Sequence, residues 1–197
     1  MCGPNGSSSG FTLIELLFSL AIAGTLAALA VPQGLHIVDD LRTRGAARYL
    51  AERALDARFA AIRGSAATGL RFEPGSPDYR ITPVADGNGN GLRTTDIQRG
   101  IDRTLAEPER LDTHFAGVAF GILDGVPDAD GQPAGGSDGV RFGVSRILSM
   151  NPDGTSSSGT LYLHGRGRTQ YAVRVLGVTG RVRVLKFDFV KGRWGDV

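Results

Sequence analysis

Gly10-Phe11-Thr12-Leu13-Ile14-Glu15-Leu16-Leu17 opens an apolar run that ends at Val31. Of the 21 residues from Phe11 to Val31, only Glu15 is charged. A helix rises about 1.5 Å per residue, so the run spans roughly 31 Å, the thickness of a bilayer's hydrocarbon core. A centrally placed charge in such a segment costs at least about 2.5 kcal/mol on insertion scales. Glu15 therefore needs a reason: it sits at headgroup level in a simple signal anchor, or it has work to do inside an apolar environment.

Beyond the run, Pro32 removes one backbone donor and clashes with the preceding turn, which predicts a kinked or loosened helix there. Helix is expected to resume over 33–63. Ala47, Leu50, Ala51, Ala54, Leu55, Phe59 and Ile62 recur at spacings of three and four and form one apolar stripe. Gly64 is a natural stop. The stripe is too short and irregular for a heptad coiled coil, so it is expected to pack on a sheet.

After Gly64 the pattern changes from helical to alternating. Residues 70–73 and 79–82 read as strands joined by the turn-forming Pro74-Gly75-Ser76-Pro77. Further strands are expected over 115–123, 140–149, 160–164, 170–178 and 181–190, with Thr179-Gly180 making a tight turn between the last two. In the last strand the apolar phase shifts between Val184 and Leu185, which predicts a bulge or a change of neighbours. Segments 124–138 and 150–159 are rich in Gly, Pro, Asp or Ser and read as long, polar, mobile loops.

The chain of 197 residues leaves about 160 for one soluble domain, enough for a proper core. Its 29 glycines point to many turns and a β-rich body. Cys2 is the only cysteine, so no intramolecular disulfide can form. The net charge of +2 hides an asymmetry: residues 73–138 hold 12 acids against 5 arginines, and residues 160–197 hold 8 cations against Asp188 and Asp196. Such halves form solvated faces of opposite sign, or they address a polar partner.

Two short motifs could carry chemistry. Asp86-Gly87-Asn88-Gly89-Asn90-Gly91 begins like a calcium loop, with side-chain oxygens at Asp86, Asn88 and Asn90, the Leu92 carbonyl, and Asp96 as a nearby acid. An EF-hand needs glutamate at the twelfth position, where Ile97 stands. A glycine-rich Asx turn is the competing reading. Near the C terminus, alternation places Arg181 and Arg183 on one strand face about 7 Å apart, a spacing that can address successive phosphates of a nucleic acid. Solvent-facing arginines on an outer sheet face are the alternative.

The octet from Gly10 resembles the cleavage and assembly motif of type IV pilins and type II secretion pseudopilins. The resemblance implies cleavage after Gly10 by a prepilin peptidase, methylation of the new amino terminus on Phe11, and a filament-assembly role for Glu15. In a bundle of stacked apolar helices, one subunit's terminal ammonium would meet another's carboxylate and neutralise it. Pro32 resembles the proline that kinks the family's helix. Residues 1–10 would be the leader, although they lack the Lys or Arg usual there. Asp86 to Gly91 and Gly180-Arg181-Val182-Arg183, with Gly159-Thr160-Leu161-Tyr162-Leu163, resemble segments of the GspH/FimT group, whose FimT-like minor pilins bind DNA through such a hairpin.

These readings lead to one expectation. The fold is α+β: a leader (1–10), a helical spine (11–64, with 11–31 transmembrane), and an antiparallel β-sandwich-like domain (65–197). The resemblance implies a minor pseudopilin in the inner membrane with its C-terminal domain in the periplasm, supporting protein export. Its partners would be other pilins, the peptidase, an inner-membrane assembly platform and exoproteins. No cofactor is required beyond the calcium suggested at Asp86. The alternatives are a pilus subunit that takes up DNA and a membrane-anchored periplasmic enzyme. No nucleophile elbow, zinc helix, Cys-x-x-Cys pair or phosphate loop occurs, and His36, His114 and His164 are scattered, so no enzyme is expected.

Overall fold

Helix α1 (Leu13–Gly64) is the longest element. The computed structural model describes residues 10–197, with the side chains of 29–33 excepted. The kink expected at Pro32, and the leader over 1–9, lie outside the described residues. Among the described residues, no helical stretch is long and apolar enough to cross a membrane. Described side chains of the apolar run stop at residue 28, so the span expected over 11–31 is covered only in part. The chain falls into two compact units, Met1–Val38 and Asp39–Val197, and the second half of α1 belongs to the latter.

Within that second unit, α1 buries Thr43, Ala46, Ala47, Leu50, Ala54, Ala57 and Ala61. The expected stripe is half right. Ala47, Leu50 and Ala54 lie on the buried face, but Leu55, Phe59 and Ile62 are 38%, 59% and 47% exposed. The reason is steric. A row of alanines lets the helix lie close against the sheets, and the larger side chains would hold it off. Arg63 in the last turn complements the carbonyl end, and Ser65 adopts φ 50° just past Gly64 to end the helix.

Eleven strands follow: β1 (Thr68–Glu73), β2 (Arg80–Ala85), β3 (Arg103–Thr104), β4 (Glu109–Arg110), β5 (Ala119–Phe120), β6 (Val140–Arg141), β7 (Ile147–Met150), β8 (Gly159–His164), β9 (Gln170–Leu176), β10 (Arg181–Asp188) and β11 (Arg193–Asp196). Short helices α2 (Thr94–Gln98) and α3 (Leu111–His114) interrupt them. One sheet has the order β3-β2-β1-β7, with β4 also on β2; the other runs β11-β10-β9-β8-β5, with β6 also on β8. Every pairing is antiparallel. The fold is α+β, with the helix packed on an antiparallel β-sheet domain.

One core joins helix and both sheets. Ala47, Leu50 and Ala54 share it with Phe72, Ile81 and Leu148 from the first sheet and with Leu161, Tyr171 and Val173 from the second. Phe72 links the sheets, with ring centroids 5.9 Å from Phe120 and 6.3 Å from Phe142. A smaller cluster on the second sheet's outer face contains Ile122, Val126, Tyr162, Ala172, Leu185 and Phe187.

That second cluster explains the phase shift in β10. Its pairing to β9 runs without a bulge from Arg181↔Leu176 to Lys186↔Tyr171. Val182 and Val184 pack toward the helix, whereas Leu185 and Phe187 enter the outer cluster. Both faces of the strand are covered, each over a different part of its length.

Three other expectations are corrected. Segment 124–138 covers the outer sheet face instead of forming an open loop: the Ala129 N–H donates to the Tyr162 hydroxyl at 2.9 Å and the Trp194 indole N–H to the Pro127 carbonyl at 3.1 Å. Residues 140–149 supply β6 to one sheet and β7 to the other, because Gly143 (φ 61°) and Arg146 (φ 50°) turn the chain between them. Of 115–123, only Ala119–Phe120 forms a strand. The short polar edge strand β11 was not anticipated, since Arg-Trp-Gly-Asp carries no alternation.

Candidate functional site

The amino terminus of α1 is built as a reciprocal cap. Thr12 donates to Glu15 Oε2 from its backbone N–H and from its hydroxyl, both at 2.9 Å, and Thr12 Oγ1 accepts the Glu15 N–H at 3.3 Å. This is the Thr-x-x-Glu capping box, which satisfies two backbone donors that a helix start leaves open. Gly10 and Phe11 precede the helix, and both are exposed. Gly10 has open space where a Cβ would stand and no positive φ. Nothing in the fold demands a glycine there, although Gly10 is a junction residue in the sequence reading.

Farther along, the exposed side chains Leu55, Phe59 and Ile62 sit at helical spacing and form an apolar strip that the domain leaves uncovered.

The loop from Asp86 closes on itself. Asp86 is buried, and its carboxylate accepts N–H groups from Asn88 (3.0 Å), Gly89 (2.8 Å) and Gly91 (2.7 Å). Gly89 and Gly91 adopt φ of 78° and 83°, which lets their N–H groups turn inward. Burial pushes the Asp86 carboxyl up, but these donors outweigh it and hold it below the usual carboxylate range. Asn90 Nδ2 donates to Asp96 at 3.0 Å, and Asp102 accepts the Gly87 and Arg93 N–H groups at 3.2 and 3.1 Å. The expected ligands Asp86, Asn88, Asn90 and Asp96 are thus neighbours, but Asp86 faces N–H donors where a cation would need its lone pairs. Among the described residues, no group of three or more His, Cys, Asp or Glu is placed to hold a metal ion.

Arg181 and Arg183 share the outer face of β10 with Leu185 and Phe187. Arg181 is exposed. Arg183 forms a two-pronged ion pair with Asp196 of β11, its Nε 3.0 Å from Oδ1 and its Nη2 on Oδ2. Opposite it on β9, Arg174 is drawn 2.7 Å from Asp130 in the covering segment. Each of these two cations is thereby matched by a carboxylate, so the face is less positive than the sequence suggests.

Two carboxylates that carry no motif make contacts across the whole domain. Asp39 accepts the backbone N–H groups of Arg166 (2.9 Å) and Gly167 (3.0 Å). Asp40 accepts the Tyr171 hydroxyl at 3.1 Å and pairs with Lys186 at 2.6 Å. Asp39 thereby fastens α1 to the β8–β9 turn, and Asp40 fastens it to β9 and β10. Their only sequence signal is an acidic pair soon after the apolar run ends.

The histidines do not converge. His114 Nε2 lies 3.4 Å from Glu109, which also accepts the Tyr49 hydroxyl at 2.7 Å and faces Arg53 at 3.2 Å. His164 Nδ1 lies 3.0 Å from the Gly165 carbonyl oxygen. A cavity of about 680 Å³ under segment 122–137 holds Asp124 as its sole ionisable lining residue.

Residues 5–31 match the prokaryotic N-terminal methylation motif, the signal of type IV pilin-like prepilins. No curated protein and no solved structure matches the chain.

Proposed function

We propose that the chain is a structural subunit of a type IV pilin-like filament. It is made as a prepilin, cut after Gly10 by the prepilin peptidase, methylated on Phe11 and anchored in the inner membrane by residues 11–31, with its globular unit in the periplasm. The observation that carries this reading is the strip of Leu55, Phe59 and Ile62 on α1. A helix whose own domain covers only its alanine face has a second apolar face to offer, and a neighbouring subunit's helix is the partner of matching chemistry. The methylation motif supports the same reading at the other end of α1. So does Gly10, a glycine that the fold does not require and a peptidase would.

Among such filaments, the reading is a minor pseudopilin of the GspH/FimT group in a type II secretion pseudopilus. It rests on the Asp86–Gly91 loop and the Gly180-Arg181-Val182-Arg183 hairpin resemblance. Its work is assembly and contact with exoproteins and the assembly platform, not catalysis.

Mass spectrometry of the chain recovered from cells containing the peptidase tests the reading directly. A mature chain beginning at N-methylated Phe11 is expected; an intact leader overturns the proposal. In the same cells, Phe59→Asp is expected to abolish incorporation into filaments while the thermal midpoint stays within a few degrees of the parent. Unchanged incorporation removes the strip as the assembly face.

A further inference from the structure

Four cations gather at one end of the second sheet. The β8–β9 turn (165–169) and the β10–β11 turn (189–192) lie at the same end, since Gln170 pairs with His164, Tyr171 with Lys186 and Asp188 with Arg193. Arg168 ties the two turns together, its guanidinium carbon 4.8 Å from the Phe189 ring centroid. Arg166, Arg168, Lys191 and Arg193 are all exposed here, and Val190, at the tip between them, is 96% exposed. The opposite end, at Gly177-Val178-Thr179-Gly180, has no charged residue in its turn.

Three carboxylates share the basic end, and each is occupied. Asp39 holds backbone N–H groups, Asp40 holds Lys186 and the Tyr171 hydroxyl, and Asp188 holds the Val190 and Lys191 N–H groups with the Lys191 ammonium at 3.4 Å. Among the described residues, Arg166, Arg168 and Arg193 have no carboxylate partner.

This end is also where the chain enters the globular unit. Asp39 is that unit's first residue and is bonded directly to the β8–β9 turn. Residues 32–39 separate it from the apolar run, about 12 Å of chain when helical. The headgroup layer takes up roughly 5–7 Å on each side of a bilayer, and charge is felt over a Debye length of about 8–10 Å. The short tether therefore limits how far the arginines at the turn can stand from lipid phosphates when the apolar run is embedded.

We infer that the β8–β9 and β10–β11 turns form a membrane-contact rim that binds the phosphates of anionic lipids through Arg166, Arg168 and Arg193 and presses Val190 into the interface. The inference rests on the membrane anchoring proposed above. An exposed valine beside cations is the pairing that an interfacial site uses: apolar burial together with attraction to anionic headgroups. Lipid is favoured over nucleic acid as the polyanion because the tether holds the rim near a membrane.

The test uses the full chain carrying Cys2→Ser and Val190→Cys, with an environment-sensitive fluorophore on the introduced thiol. It is reconstituted into vesicles of phosphatidylcholine alone or with phosphatidylglycerol as a third of the lipid. Blue-shifted emission, quenched by brominated acyl chains, is expected only in the anionic vesicles and is expected to disappear at high salt. Arg166→Gln/Arg168→Gln should lower the contacting fraction at least about tenfold. Lys191→Gln/Arg193→Gln, which leaves the Arg168–Phe189 contact in place, should lower it as well. Equal emission in both vesicles, with the protein floating alongside them, overturns the inference and leaves the anchoring intact. A shift produced equally by soluble glycerophosphate, or by duplex DNA with neutral vesicles, also overturns it. A chain that floats with neither vesicle overturns the anchoring, and the rim with it.

Discussion

Glu15 Oε2 lies 2.9 Å from both the backbone nitrogen and the hydroxyl oxygen of Thr12. The acid that stands out in an apolar run is, before any partner arrives, the cap of its own helix. Capping and filament neutralisation are separable. Glu15→Gln retains an acceptor for Thr12 and loses the charge, whereas Thr12→Ala loses half the cap and keeps the charge. Filament incorporation is expected to fail for Glu15→Gln and persist for Thr12→Ala, while amide exchange over 13–16 in micelles should quicken more for Thr12→Ala. Equal incorporation of both variants would leave Glu15 as a cap alone.

Leu50 and Phe59 lie nine residues apart on the same helix and should answer differently to truncation. Leu50 is fully buried between helix and sheets, so Leu50→Ala should cost about 2–5 kcal/mol of stability. Phe59→Ala should change stability by no more than about 0.5 kcal/mol, as exposed substitutions do. Thermal unfolding of the full chain in detergent, followed by circular dichroism, reads both. A large loss at Phe59 would mean that the strip is covered within the subunit.

Asp86 makes a prediction about acid and about metal. Its folded pKa lies below the unfolded value of about 3.9, so its contribution is present above about pH 4 and is lost as pH falls through the lower folded value. Asp86→Ala leaves three inward N–H groups without their acceptor and should cost at least about 2 kcal/mol at neutral pH. It should also flatten the acid limb of the stability profile. Because those N–H groups occupy the carboxylate, adding a chelator is expected to leave the melting temperature unchanged. A fall on chelation, restored by calcium, would show that the loop rearranges around the ion.

Alkali should find the four tyrosines late. Burial, then the hydrogen bond to Glu109, pushes the Tyr49 hydroxyl up to about 12. Burial and Asp40 raise Tyr171, and burial is the leading cause at Tyr79 and Tyr162. A raised folded pKa means stability that is complete below the unfolded value of about 10 and is lost as pH climbs through the folded one. Tyrosinate absorbance should therefore stay low at pH 10 and appear together with loss of the far-ultraviolet signal. Titration of even one tyrosine near pH 10 in the folded chain would contradict these positions.

Much of the architecture was legible because periodicity records burial. The β1–β2 hairpin, the three long strands of the second sheet, the turn at Gly180 and the full reach of the helix all follow from alternation, spacing and glycine placement. The misses share one cause: a pattern states that a side chain is buried but not against what. Leu55, Phe59 and Ile62 had the right spacing for a core and lie outside it. Val182 and Leu185 looked out of phase and pack on opposite faces, Val182 partly buried and Leu185 fully so. Asp39 and Asp40 had no pattern, because carboxylates whose partners, the Arg166 and Gly167 N–H groups and the Tyr171 and Lys186 side chains, lie more than a hundred residues away leave no local trace.

By itself the sequence determined a greasy helix with one acid at its start, followed by a β-rich body, since helix length and apolar spacing are local properties of the chain. Only the tertiary structure decided which side of that helix is shut away, which arginines remain unpaired and what the Asp86 carboxylate holds. Those outcomes depend on close approach between segments far apart in sequence. There, the size of an alanine or the reach of an aspartate settles which of several permitted contacts is made.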